Sequence, residues 1–141
     1  MILPDVNVLL YAFRPDGADH ARYRHWLQTV VAGEEPYGMS PQVLAAVVRI
    51  STHPRIFKTP TPVAEALAFS STLLAQPNCY VVTPGARHWP IFERLCAHSA
   101  AQGNLVQDAW FAALAMESGS EWITVDRDYA RFEGLRWRPP F

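Results

Sequence analysis

Lysine is almost missing from this 141-residue chain: eleven of its twelve basic side chains are arginine, and Lys58 is the exception. That scarcity fits two readings, a preference for planar recognition of phosphate or the product of a GC-rich genome, and composition does not choose between them. Net charge is scarce too. A formal charge of -1 excludes a generally basic nucleic-acid coat, so any polyanion must meet a local patch. The only cysteines are Cys79, in a strand-like run, and Cys96, in a helix-like one. Their spacing excludes a clustered zinc site or a small disulfide scaffold and predicts two core thiols. No window approaches the ~20 apolar residues of a membrane span, and the N-terminus has no basic region followed by a signal-length apolar stretch. These absences predict a cytoplasmic protein without membrane contact. The five histidines offer no nucleophile or ligand pair at useful spacing.

Apolar residues make up 50% of the chain, enough for one sizeable core, and no repeat, low-complexity tract or linker divides it. Residues 1–141 are expected to form a single domain. Ile2 to Asp5 reads as a short buried strand and Val6 to Phe13 as a helix starting directly after it. Arg14-Pro15-Asp16-Gly17 is a turn, and Asp19 starts a second helix that runs to Gly33. Ser40-Pro41 is an N-cap with proline at the first helical position, and it opens a helix through Ile50 that His53-Pro54 ends. Thr61-Pro62 repeats the signal for a helix from Val63 to Ala75, so two helices follow each other as a hairpin. Tyr80 to Thr83 predicts a second buried strand, and Trp89 to Ala101 a helix broken by Gly103. Leu105 to Met116 is apolar nearly all round and predicts a buried helix. A third strand over Trp122–Val125, a helical turn over Tyr129–Phe132 and an edge strand near Leu135–Trp137 complete the chain. Trp26, Trp89 and Trp110 read as core. Strands alternating with helices indicate a three-layer α/β/α sandwich with a mostly parallel central sheet.

Three aspartates stand among apolar residues: Asp5 after Met-Ile-Leu-Pro, Asp108 within Leu105-Val106-Gln107-Asp108-Ala109-Trp110-Phe111, and Asp126 after Trp122-Ile123-Thr124-Val125. A carboxylate there needs a partner, because an uncompensated buried charge is costly. Each has a plain alternative: Asp5 as the cap of the helix at Val6, Asp126 as a turn residue, Asp108 as half of a buried ion pair with an arginine. Asn104 shares a face with Asp108 and suits either a polar contact or a cap. Carboxyl ends of parallel strands converge on one crevice, and Asp5 and Asp126 sit at such ends. Together the three acids suit a divalent cation, Mg²⁺ or Mn²⁺, which is held by carboxylate oxygens and water and serves phosphoryl transfer.

At these residues the chain resembles the PIN-domain ribonucleases, and more closely the VapC toxins of bacterial toxin–antitoxin modules. The stretches that carry the resemblance are Leu3 to Ala12, Gly103 to Ala109 running into Ala112-Ala113-Leu114-Ala115, and Thr124 to Phe132. It implies a Mg²⁺- or Mn²⁺-dependent endoribonuclease, normally a homodimer, held inactive by an antitoxin protein and acting on transfer or ribosomal RNA. Asp5 and Asp108 would be metal ligands and Asp126 would complete the acidic cluster. Asn7, Asn104 and Asp128 would assist from beside it. The chain departs from the pattern at Ala46, where such nucleases commonly place a glutamate. That departure keeps a rival reading open, a catalytically weakened PIN-like domain acting as an RNA-binding or protein-interaction module. Among the basic residues, Arg49, His53, Arg55 and Lys58 could track a phosphate backbone, with Arg14, Arg127 and Arg131 flanking the acidic crevice. An ordinary solvated surface is the alternative for each.

Overall fold

The computed structural model describes all 141 residues. Five strands lie parallel in the order β3-β2-β1-β4-β5: β1 (Ile2–Pro4), β2 (Tyr37–Met39), β3 (Cys79–Val81), β4 (Glu121–Ile123) and β5 (Trp137–Arg138). Helices α1 (Val6–Phe13) and α2 (His20–Ala32) link β1 to β2, α3 (Pro41–Ser51) and α4 (Val63–Leu74) link β2 to β3, and α5 (His88–Ser99) and α6 (Asn104–Glu117) link β3 to β4. The result is a three-layer α/β/α sandwich whose sheet is wholly parallel. The chain moves outward from β1 to β3 on one side, then returns to place β4 on the other side of β1. Neighbouring strands with opposite exits leave a crevice beyond their carboxyl ends. Asp5 and Thr124 are the first residues past those ends.

Local chemistry explains most boundaries. Asp5 Oδ1 accepts the Val6 N–H at 2.6 Å and caps α1, satisfying one of the free donors of its first turn. Pro41 opens α3 as expected, but the Ser40 hydroxyl caps nothing; only its backbone carbonyl joins the helix, accepting from Leu44. Asp19 precedes α2 with φ 57° and makes no side-chain cap. Gly103 precedes α6 at φ 55°, in the left-handed half of backbone space where a side chain is strained. Leu3, Leu9, Tyr37, Met39, Val43, Val47, Leu114, Trp122 and Tyr129 are buried in the core between the layers.

One strand was not foreseen, and several expectations need correction. The strand β2 carries no β-branched signature, and its Gly38 interrupts the pattern. It is nonetheless buried between β1 and β3, where a Cβ on Gly38 would stand 2.9 Å from Val82 and 3.2 Å from Leu3. The strand expected at Tyr80 to Thr83 begins at Cys79 and is an edge strand, so Tyr80 and Val81 face outward. Trp89 is exposed, lying against Phe92 and Trp110 at the start of α5. The helix α6 is buried only from Ala109 to Ala115, and its first turns open toward the crevice. Both cysteines are half-buried, and burial raises both thiol pKa values.

Candidate active site

A cavity of about 610 Å³ opens at the carboxyl ends of β1 and β4. It collects Asp5, Asn7, Asn104, Asp108, Asp126 and Tyr129, with α3 as its far wall. A second cavity of about 640 Å³ lies among α1, α2 and α4, but it is mostly apolar and contains no acid. The acids gather in the first.

Asp5 serves as helix cap and site residue at once. Its Oδ1 is taken by the cap, while Oδ2 accepts the Thr124 hydroxyl at 2.6 Å and the Asn7 amide at 3.0 Å. Thr124, fully buried, also accepts from Asn7 Nδ2 and from the Asp126 N–H, each at 3.0 Å. One hydroxyl therefore ties the end of β1 to the loop after β4. Asp126 in turn caps the 3₁₀ turn Arg127–Arg131, accepting the Asp128 N–H at 2.9 Å. Here too the turn role and the site role coincide.

Asp108 has no arginine partner. Its one hydrogen bond is a long one, 3.4 Å, from the hydroxyl of buried Tyr129. Burial first, and repulsion from Asp126 and Asp128 after it, push its pKa up to about 6. Asp5 is also raised to about 6, by burial and by repulsion from Asp108 and Asp126, against the lowering effect of its Thr124 and Val6 hydrogen bonds. Burial and three nearby carboxylates push the Tyr129 phenol far up, so it remains a neutral donor. Two carboxylates shifted in this way mark a site short of positive charge.

The donors fit a hard cation. All are oxygens from carboxylates or amides, and Asn7 Oδ1 is buried with no hydrogen-bond partner although its amide nitrogen is fully engaged. The three carboxylates line the cavity without closing into a cage of three ready-made ligands. An ion held here would keep water in its shell, as Mg²⁺ does.

The other residues singled out from the sequence divide clearly. Asn104 and Arg49 line the cavity. The Asp128 side chain lies outside it, exposed and 3.7 Å from Arg131, so only its backbone supports Asp126. Arg55, Lys58 and Arg127 are exposed. Arg14 is not a flank of the crevice: it is 7% exposed, pairs with Asp16 at 2.7 Å and bonds Thr61 and the Thr59 carbonyl. Its guanidinium also lies 3.5 Å over the Phe57 ring. Thr124 and Tyr129 were legible only as strand and turn residues; nothing near them in sequence reveals their carboxylate partners.

The PIN domain pattern matches residues 2–135. This chain belongs to the PIN-domain family, among its VapC ribonucleases. Ribonuclease VapC43 of Mycobacterium tuberculosis is 42% identical over 140 residues, covering 99% of this chain and 95% of that one. Ribonuclease VapC25 of the same organism is 40% identical over 141 residues, covering 99% of each. Among solved structures, VapBC2 from Rickettsia felis bound to a promoter DNA fragment superposes with a TM-score of 0.71 at 16% identity, covering 99% and 98% of the two chains. VapC20 of M. tuberculosis, described as a sarcin–ricin loop cleaving toxin, gives 0.65 at 18%, covering 96% and 99%. At those identities the superpositions bear on the fold alone.

Proposed function

We propose that this PIN-domain protein is the toxin of a toxin–antitoxin pair, an endoribonuclease that uses Mg²⁺ or Mn²⁺ to hydrolyse RNA phosphodiester bonds. Its VapC relatives are named as ribonucleases, and the observation that carries the reading here is the pair of carboxylates, Asp5 and Asp108, both raised to about 6 in one oxygen-lined cavity. Asp5, Asp108 and Asp126 would hold the cation, with Asn7 and Asn104 beside them. Once bound, the cation supplies charge neutralisation at the phosphate and a water of lowered pKa. The residues of the chain do the positioning. Thr124 and Asn7 fix the Asp5 carboxylate, the Asp128 N–H orients Asp126, and Tyr129 donates to Asp108.

Water is the nucleophile in this reading, because the cavity is lined by no serine, cysteine or histidine. Transfer or ribosomal RNA is the substrate class, and exposed Arg55, Lys58, Arg127 and Arg131 would follow its backbone. A protein antitoxin and a second copy of the chain are the proposed partners, and the cytoplasm the proposed location. No helix is long and apolar enough to cross a membrane.

The rival is a weakened PIN-like domain that binds RNA or protein without turnover. It is favoured by the α3 wall, which presents Ala46 and no acid, and by the lack of a preformed three-ligand cage. Incubation of purified protein with a transfer- and ribosomal-RNA pool separates the two. Mn²⁺-dependent cuts at few sites, stopped by EDTA and by Asp5→Asn, are expected; cleavage surviving both treatments overturns the metal-site reading, and no cleavage at any Mn²⁺ concentration supports the rival.

A further inference from the structure

The charge in the cavity is one-sided. Its acids come from the ends of β1 and β4 and from the first turns of α6. The opposite wall is the face of α3 formed by Gln42, Ala45, Ala46, Arg49 and Ile50, spaced as one side of a helix. Arg49 is the one cation that lines the cavity, and it forms no ion pair. Half of the other ten arginines already have partners within the chain: Arg14 and Arg138 on carboxylates and carbonyls, Arg87 and Arg136 on the Glu117 and Gly119 carbonyls, and Arg131 in an exposed pair with Asp128. Arg49 keeps its guanidinium donors free. A phosphodiester entering a cavity with three carboxylates meets repulsion on one side only, and a planar, permanently charged donor on the other side suits its non-bridging oxygens.

We propose that Arg49 contacts the scissile phosphate, holding its non-bridging oxygens against the α3 wall while the acidic wall faces the other side. This rests on the ribonuclease reading and adds to it the residue that aligns the reacting group. The ordinary role of a last-turn arginine, support of the α3 C-terminus, would survive replacement by lysine and would leave catalysis untouched.

The test uses Arg49→Gln and Arg49→Lys in the full chain. Binding of a fluorescein-labelled, mixed-sequence single-stranded RNA is followed by anisotropy in EDTA across a series of KCl concentrations. Cleavage of the RNA pool is followed with Mn²⁺. Arg49→Gln is expected to reduce the slope of log affinity against log salt by about 0.7, the loss of one phosphate contact. It should also lower kcat roughly a hundredfold, with KM within a few-fold and Mn²⁺ affinity by calorimetry unchanged. Arg49→Lys should restore the slope and only part of the rate, since an ammonium lacks the fork. An unchanged slope in Arg49→Gln overturns the proposal, whatever the rate. A reduced slope with full kcat also overturns it, because the contact is then to a phosphate away from the reaction. Should the wild type cleave nothing, the ribonuclease reading fails and the salt slope alone decides whether Arg49 binds phosphate.

Discussion

Thr124 donates its hydroxyl proton to Asp5 across 2.6 Å, joining residues 119 positions apart in the chain. The same oxygen accepts from Asn7 and from the Asp126 N–H, so its hydrogen-bonding capacity is used up. The bond orders the acidic edge of the cavity and also lowers the Asp5 pKa against the upward push of burial.

Replacing Thr124 by valine keeps the shape and removes one hydrogen bond from each of three polar partners, the buried Asp5 carboxylate, the Asn7 amide and the Asp126 N–H. Urea denaturation should show a loss of about 1–3 kcal/mol, the cost of leaving such groups unpaired. Thr124→Ser should recover most of it. Because the lowering hydrogen bond is gone, the acid limb of the RNA cleavage profile should move to higher pH in Thr124→Val; an unmoved limb would show that Asp5 does not titrate in the active range.

The raised carboxylates set a direction for pH dependence in metal-free protein. Asp5 and Asp108 both stand at about 6, against 3.8 ordinarily, so the folded state holds their protons more tightly than the unfolded chain. That contribution to stability is complete below about 3.8 and is lost as pH rises through about 6. For buried Asp5 it amounts to about 3 kcal/mol as an upper bound; partly exposed Asp108 contributes less because solvent screens it. Melting scans in EDTA should therefore show these two sites favouring pH 5 over pH 7.5, and Asp108→Asn should flatten the difference.

Asp108→Asn also separates a metal ligand from a structural group. Removing one of several mutually repelling charges should raise the melting temperature in EDTA. It should reduce the further rise that excess Mn²⁺ gives the wild type, since a ligand stabilises the fold only as far as it binds it. A variant that melts well below wild type in EDTA would mean that the Asp108 charge supports the fold.

Ala46 faces the cavity from α3, half-buried and across from the acids. A fourth carboxylate there should tighten Mn²⁺ binding, measured by calorimetry on Ala46→Glu, and should lower stability in EDTA by adding to the repulsion. Unchanged affinity in a folded variant would place this position outside the reach of the ion.

Arg14 is a brace for the segment between α3 and α4. Arg14→Gln should destabilise the protein by about 2 kcal/mol through lost charge-assisted bonds and lost stacking on Phe57. Arg14→Lys should not rescue it, because a single ammonium cannot pair Asp16 through two nitrogens and also reach Thr61. Hydrogen exchange should accelerate over residues 52–61 and leave β1 protected.

What the residue order determined by itself was local. Apolar spacing, the proline after Ser40, and glycine near Leu105 and after Ser118 placed all six helices to within a few residues, because those signals act between neighbours only a turn apart. Two acids at element boundaries, Asp5 and Asp126, and one inside an apolar helix, Asp108, stood out for the same reason. Tertiary structure decided the rest. It made a strand of Tyr37-Gly38-Met39, whose glycine leaves room for the side chains of Leu3 in β1 and of Val82 just past β3. It sent Arg14 inward to partners 37 and 47 positions away, leaving Arg49 as the cation of the cavity. It also gave Asp5, Asp108 and Asp126 one shared crevice, bringing together residues more than a hundred positions apart. Whether a carboxylate is an ordinary helix cap or a proton-holding group near pH 6 depends on which long-range neighbours desolvate and repel it, and no stretch of adjacent residues records those neighbours.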